Sequence, residues 1–173
     1  RTKKARELFA FLFDRRGREV SKDVISEALW PEMDPDSVST LFYTTVSYVR
    51  KGLANEGYTN VILQKNRMYS LNMDCLVSSR EQLEAMVREQ AGPGQRQLVT
   101  ELYHGPYLEG VQGDWFVLER EYYERQFLQI CRVQAGGLME EKRYKEAVIV
   151  LSGAVAVDEY DEQLSAMLIR CYG

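Results

Sequence analysis

DPDSVSTLFYTTVSYVRKGL, residues 34–53, decides how the chain is read. Asp34 can accept from the first free N–H groups of a helix, and Pro35 suits the first helical position, where no N–H is needed. Val38, Leu41, Phe42, Val46, Val49 and Leu53 recur at three, four and seven residues, so the spacing predicts a long amphipathic helix with these on its buried side. Thr40, Tyr43, Thr44, Ser47, Arg50 and Lys51 fall on or near the opposite side. From Thr40 to Lys51 that side holds hydroxyls, an aromatic ring and two cations, with no carboxylate. Such a face can lie against nucleic acid; the plain alternative is a solvated surface.

The chain upstream supplies two shorter helices. Thr2 to Arg15 has Ala5, Leu8, Phe9, Leu12 and Phe13 as its apolar stripe, and Gly17 closes it. Arg1, Lys3, Lys4 and Arg6 crowd its N-terminus, where cations oppose the helix dipole, a placement that suits a phosphate partner or a solvated end. Glu19-Val20 is a short extended link. Ser21 then caps a helix to about Leu29, with Val24, Ile25, Ala28 and Leu29 inside, and Trp30-Pro31 stops it. Downstream of the long helix, Val61 to Leu63 and Met68 to Leu71 are strand signals separated by Lys65-Asn66-Arg67. Helix, helix, long helix and basic hairpin is the order of a winged helix-turn-helix. In that geometry the third helix enters the major groove and the hairpin touches the flanking backbone.

Charge divides the same way. Residues 1–72 carry 12 Lys+Arg against 9 Asp+Glu, a net +3; residues 73–173 carry 10 against 17, a net −7. The second part is helical throughout. Glu81 to Glu89 uses Leu83, Met86 and Val87, and Ala91-Gly92-Pro93-Gly94 breaks it. Gln95 to Tyr103 is a further helix, stopped by Gly105-Pro106. Asp114 caps a long helix to about Lys142, with Trp115, Leu118, Tyr122, Phe127 or Leu128, and Ile130 to Leu138 as its stripe. Glu119, Glu121 and Glu124 with Arg120 and Arg125 give it a solvated face. Tyr144 to Val157 and Asp161 to Tyr172 form a helical hairpin whose Tyr144, Ala147, Leu151 and Ala154 spacing, followed by Asp158 at the turn, resembles a tetratricopeptide unit. Stacked pairs of this kind offer concave surfaces to protein partners.

Catalytic chemistry is thinly represented. His104 is the single histidine, which excludes a two-His metal site, and the YHGPY context makes it a packing or turn residue. Gly92-Pro93-Gly94 lacks the Gly-Lys-Ser/Thr of a phosphate loop. Cys75, Cys131 and Cys171 are odd in number and far apart, fitting a reducing compartment. No apolar run approaches the ~20 residues of a membrane helix. No enzyme, metal or cofactor is expected.

The runs KARELFAFLFDRRGREVSKDVISEALWPE, LFYTTVSYVRKGL and MYSLNMD resemble the OmpR-type winged helix of bacterial transcriptional regulators. With ELYHGPYLEG, DWFVLEREYYERQ and KRYKEAVIVLSGAVAVDEYDEQLSAMLIRCYG behind them, the chain resembles the SARP-like branch, in which a bacterial transcriptional activator domain follows the winged helix. The resemblance implies a mainly α fold: a winged-helix DNA-binding domain over 1–72, without the small sheet that opens OmpR-type domains, and a tetratricopeptide-like activator domain over 73–173 that continues past Gly173. It implies a cytoplasmic regulator that binds double-stranded promoter DNA as a homodimer and contacts RNA polymerase, with Trp30 to Asp34 as one contact loop. The expected reading residues are Thr40, Tyr43, Thr44 and Ser47, with Arg50, Lys51, Lys65 and Arg67 on phosphates. Met68 stands where the family has Gly before the wing Tyr. A protein-interaction scaffold that no longer binds DNA is the alternative.

Overall fold

A computed structural model describes residues 2–76, 78–88 and 99–173. It is mainly helical, with a small three-stranded antiparallel sheet. The elements are α1 (Thr2–Asp14), β1 (Val20–Ser21), α2 (Lys22–Leu29), α3 (Pro35–Asn55), β2 (Ile62–Lys65), β3 (Met68–Leu71), α4 (Ser79–Arg88), α5 (Val117–Glu140), α6 (Tyr144–Val157) and α7 (Glu162–Tyr172). They divide between two compact units, one formed by Arg1–Val77 with Gly110–Val117 and the other by Ser78–Glu109 with Leu118–Gly173.

The first unit is built as its local signals require. Asp34 accepts from the Ser37 N–H at 3.0 Å with Pro35 inside the first turn, and Ser21 accepts from the Val24 N–H at 3.3 Å. Val38, Phe42, Val46 and Val49 of α3 are buried against Leu8 and Leu12 of α1, Ile25 and Leu29 of α2, and Tyr69 and Leu71 of β3. Leu41 differs from expectation and is 38% exposed. At about 100° per residue it lies about 90° from the centre of that stripe, on its margin. Val24 is exposed for a similar reason, at 49%. In α1 the fully buried aromatic is Phe11, while Phe9 and Phe13 are half-buried. The cause is the Gly110–Val117 segment: Trp115 meets Phe11 edge-on at 5.0 Å and Lys3 donates to Gln112 Oε1 at 2.5 Å. A second face of α1 is thereby covered.

The sheet has the order β1-β3-β2. The hairpin turn is the pair Asn66-Arg67, both at positive φ (49° and 62°), so Lys65 is the last residue of β2 and pairs with Met68. Two such residues suit a two-residue hairpin loop matched to strand twist. The short link at Glu19-Val20 becomes an edge strand, with Val20 opposite Tyr69 and Ser21 opposite Met68.

In the second unit, Leu83, Met86, Val99, Leu102 and the inner faces of α5, α6 and α7 form one apolar core. Ala147, Leu151 and Ala154 are fully buried as expected of close helix packing, whereas Tyr144 is exposed. Asp161 caps α7 by accepting from the Leu164 N–H at 3.0 Å. On α5 the buried residue is Tyr123, not Tyr122, and Leu118 is 76% exposed. The helix begins at Val117, so its inward stripe is phased from Tyr123, Phe127, Ile130 and Gln134. Arg120 is not part of a purely solvated face: its guanidinium donates to the Tyr107 and Leu108 carbonyls at 2.9 and 3.0 Å. The described end of the helix expected over Gln95–Tyr103 is a single tight turn, Val99–Glu101, whose Val99 N–H is held by buried Gln134 Oε1 at 3.1 Å. Gly153 of α6 admits it, since a Cβ there would lie 2.8 Å from Thr100. Arg1, Glu89, the Ala91–Gly94 break and residues 95–98 lie outside the described residues.

Candidate nucleic-acid interface

Thr40, Tyr43, Thr44, Ser47, Arg50 and Lys51 are all exposed on α3, and Lys65 and Arg67 are exposed at the hairpin turn. At about 100° per residue, Thr40, Thr44, Ser47 and Lys51 fall within about 60° of one another, with Tyr43 and Arg50 on the flank toward the hairpin. The hydroxyls are not equivalent. Thr44 Oγ1 donates back to the Thr40 carbonyl at 2.8 Å, which commits its proton and leaves its lone pairs to accept. The neighbouring Thr45 does the same toward Leu41, at 2.7 Å.

Arg50 is turned toward the sheet. Its Nη2 donates to the Ile62 carbonyl at 3.1 Å and its Nη1 to Gln64 Oε1 at 3.4 Å, bracing β2 against the C-terminal half of α3. Beside it, an open groove of about 660 Å³ is lined by Arg50, Leu53, Tyr58, Asn60 and Gln64, among others. Lys51, Lys65 and Arg67 make no ion pair with a described residue. Below the surface, Tyr69 packs edge-on against Phe42 at 4.9 Å. Burial pushes the Tyr69 phenol above its ordinary range, a neighbouring Tyr43 adds to this, and Arg50 works against it. At the start of α3, the Ser37 hydroxyl and N–H hold the Asp34 carboxyl below its usual range.

At the start of α1, Lys4 is engaged by neighbours within the same unit. Lys4 Nζ pairs with buried Glu7 at 2.7 Å, donates to the Leu29 carbonyl at 2.6 Å and lies 5.8 Å from the Trp30 ring centroid. Sequence reasoning missed Lys22. It heads α2, and its Nζ donates to Ser39 Oγ at 2.7 Å and stands 5.0 Å from the centroid of the Tyr43 ring. Seventeen residues separate Lys22 from Ser39, so no local periodicity signals the contact.

In the second unit the polar feature is Arg80. It is buried between the Tyr107 and Tyr123 rings, each centroid 5.3 Å from the guanidinium carbon, and donates to the Tyr107 hydroxyl. Glu84 lies 3.7 Å from Arg80 Nε and accepts from the Tyr123 hydroxyl at 2.5 Å. This cluster ties α4 to α5 and to the 102–109 loop. Cys131 is buried, and that burial pushes its thiol up to about 12 against the opposing pull of Arg132, so it is inert as a nucleophile. Among the described residues no cluster of His, Cys, Asp and Glu could hold a metal ion, and no helix is long and apolar enough to cross a membrane. His104 is exposed at a turn.

No curated protein matches the chain. Residues 98–173, which carry α5, α6 and α7, match the model of one family, the bacterial transcriptional activator domain.

Proposed function

We propose that this chain is a DNA-binding transcriptional regulator of the SARP-like type. In this reading residues 1–72 are an OmpR-type winged helix with β2 and β3 as the wing, and residues 73–173 are a tetratricopeptide-like activator domain that contacts RNA polymerase or another protein. The observation that carries it is the exposed face of α3 from Thr40 to Lys51, which holds hydroxyls, Tyr43 and cations with no carboxylate after the first-turn Asp36, beside a basic hairpin turn, in a chain whose C-terminal part matches a transcriptional activator domain. The α3 face enters the major groove. Thr44, with its proton committed to Thr40, accepts from base amino groups, while Thr40, Ser47 and Tyr43 donate or accept. Lys51, Lys65 and Arg67 contact phosphates. Arg50 keeps its charge there while bracing the wing against the helix. So few cations make a single copy a weak binder, and a homodimer on paired half-sites offsets this. The reading places the protein in the bacterial cytoplasm, with no membrane partner.

Replacing Lys51 and Lys65 together with alanine tests this. Each lost phosphate contact removes about 0.9 from the slope of log affinity against log salt, so the double variant loses about 1.8. Fluorescence anisotropy on a labelled duplex reads both slopes, and an unchanged slope refutes the assignment. One observation favours a scaffold that has left DNA behind: Arg50 turns two of its donors to the hairpin in a chain of net charge −4. Wild-type protein that retains no duplex at low salt would establish that alternative.

A further inference from the structure

The DNA-reading surface proposed above is made of two separate pieces, α3 and the turn between β2 and β3. Lys22, at the start of α2, touches both. The Lys22 backbone N–H donates to the Arg67 carbonyl at 3.2 Å. Its ammonium donates to Ser39 on α3 at 2.7 Å and sits 5.0 Å from the Tyr43 ring centroid. Lys22 is half-buried.

Each contact has a physical use. Lys22 is the first residue of α2, where the N–H has no partner inside the helix. It therefore satisfies the carbonyl of Arg67, a residue held at φ 62° in the turn. The ammonium over the face of Tyr43 restricts a ring that is otherwise 48% exposed. The Ser39 bond fixes the ammonium in turn, so the lysine is not a free surface charge.

We propose that Lys22 is the positioning residue of this surface, setting the orientation of the Tyr43 ring and the place of the Arg67 turn relative to α3, and so governing which base pairs Tyr43 can accept. This rests on the DNA-binding reading and makes a finer claim. A lysine acting only as a phosphate contact would weaken all sequences alike. A positioning lysine changes sequence preference.

The test selects duplexes from a random pool with wild-type protein, Lys22→Met, Lys22→Arg and Tyr43→Leu, and measures anisotropy on the winning duplex and on an unselected one. Lys22→Met keeps the apolar stem and is expected to weaken the winning duplex about two- to fivefold more than the unselected one, the range of a partly exposed cation–π contact. It should also broaden the base preference at the positions that Tyr43→Leu broadens. Lys22→Arg, which retains charge and ring contact, should restore the preference. In the Tyr43→Leu background Lys22→Met should add no further broadening. Equal weakening of both duplexes, with the preference intact, overturns the proposal and leaves DNA binding standing. Failure of the wild type to enrich any duplex overturns both. A DNA-free readout accompanies these: the Lys22 ε-methylene protons should be shifted upfield by the ring and return to ordinary values in Tyr43→Leu. Ordinary values in the wild type overturn the proposal whatever the binding data, and the same spectra verify that each variant is folded.

Discussion

Trp115→Ala should destabilise the first unit although residue 115 stands some forty positions beyond the end of its sheet. Trp115 packs edge-on against Phe11 at 5.0 Å and Phe116 at 4.7 Å and joins the core of Leu8, Leu12 and Phe42. Full truncation of a buried Trp costs about 3–5 kcal/mol; Trp115 is half-buried, so about 2–3 kcal/mol is expected. For a unit of this size that lowers the melting midpoint by about 10–20 °C. Trp115→Phe should behave differently. The indole N–H is buried without a partner among the described residues, a penalty of about 1–3 kcal/mol that phenylalanine removes, offsetting much of the lost ring volume. The assay is direct because the chain has two tryptophans, and the other, Trp30, is buried in the same core. In Trp115→Ala the remaining fluorescence reports that core alone during urea unfolding. A Trp30 transition that moves by less than about 0.5 kcal/mol would refute the packing of Gly110–Val117 into this unit. Equal losses for Ala and Phe would refute the role given to the orphan N–H.

Two further outcomes follow from the second unit. Arg80→Ala leaves Glu84 and the Tyr107 hydroxyl without the guanidinium and removes two ring contacts, so unfolding followed by circular dichroism should show a loss of about 2–4 kcal/mol. Adding Glu84→Gln should cost little more, because the pair is already broken; full additivity would show that the two do not act together. Asp161 caps α7 and pairs with Arg132. Burial raises its carboxyl, but the Leu164 N–H, the Arg132 guanidinium and the Gln163 N–H outweigh this and hold it below its ordinary range. A depressed carboxyl contributes stability that is complete above its ordinary value near 3.8 and is lost as pH falls through the lower folded value. Asp161→Asn keeps an N-cap acceptor but not the charge, so the variant's acid-limb stability should fall less steeply than the wild type's; identical acid limbs in thermal melts would refute the coupling.

What the sequence by itself determined is whatever rests on neighbours within a turn or two. Asp34-Pro35 and Ser21 start α3 and α2, and the spacing of Val38, Phe42, Val46 and Val49 turns α3 inward, because caps and helical periodicity act over at most four residues. The hairpin around Asn66-Arg67 and the α6–α7 pair were legible for the same reason, and the exposed polar face of α3 is the complement of its buried stripe. The tertiary structure alone decided the rest. Glu19-Val20 has too few residues for a strand signal, and Val20 joins the sheet only because Tyr69 is presented opposite it. Phe11 is buried because Trp115 arrives from over a hundred positions away, and Arg80 becomes a core residue because two tyrosines enclose it. At the proposed interface, eight polar residues were readable from one helix and one turn, but not the division of labour among them. Arg50 bending to Ile62 and Lys22 meeting Tyr43 depend on contacts between residues 12 and 21 positions apart, which no local pattern encodes and only the packing of α2, α3 and β2 brings about.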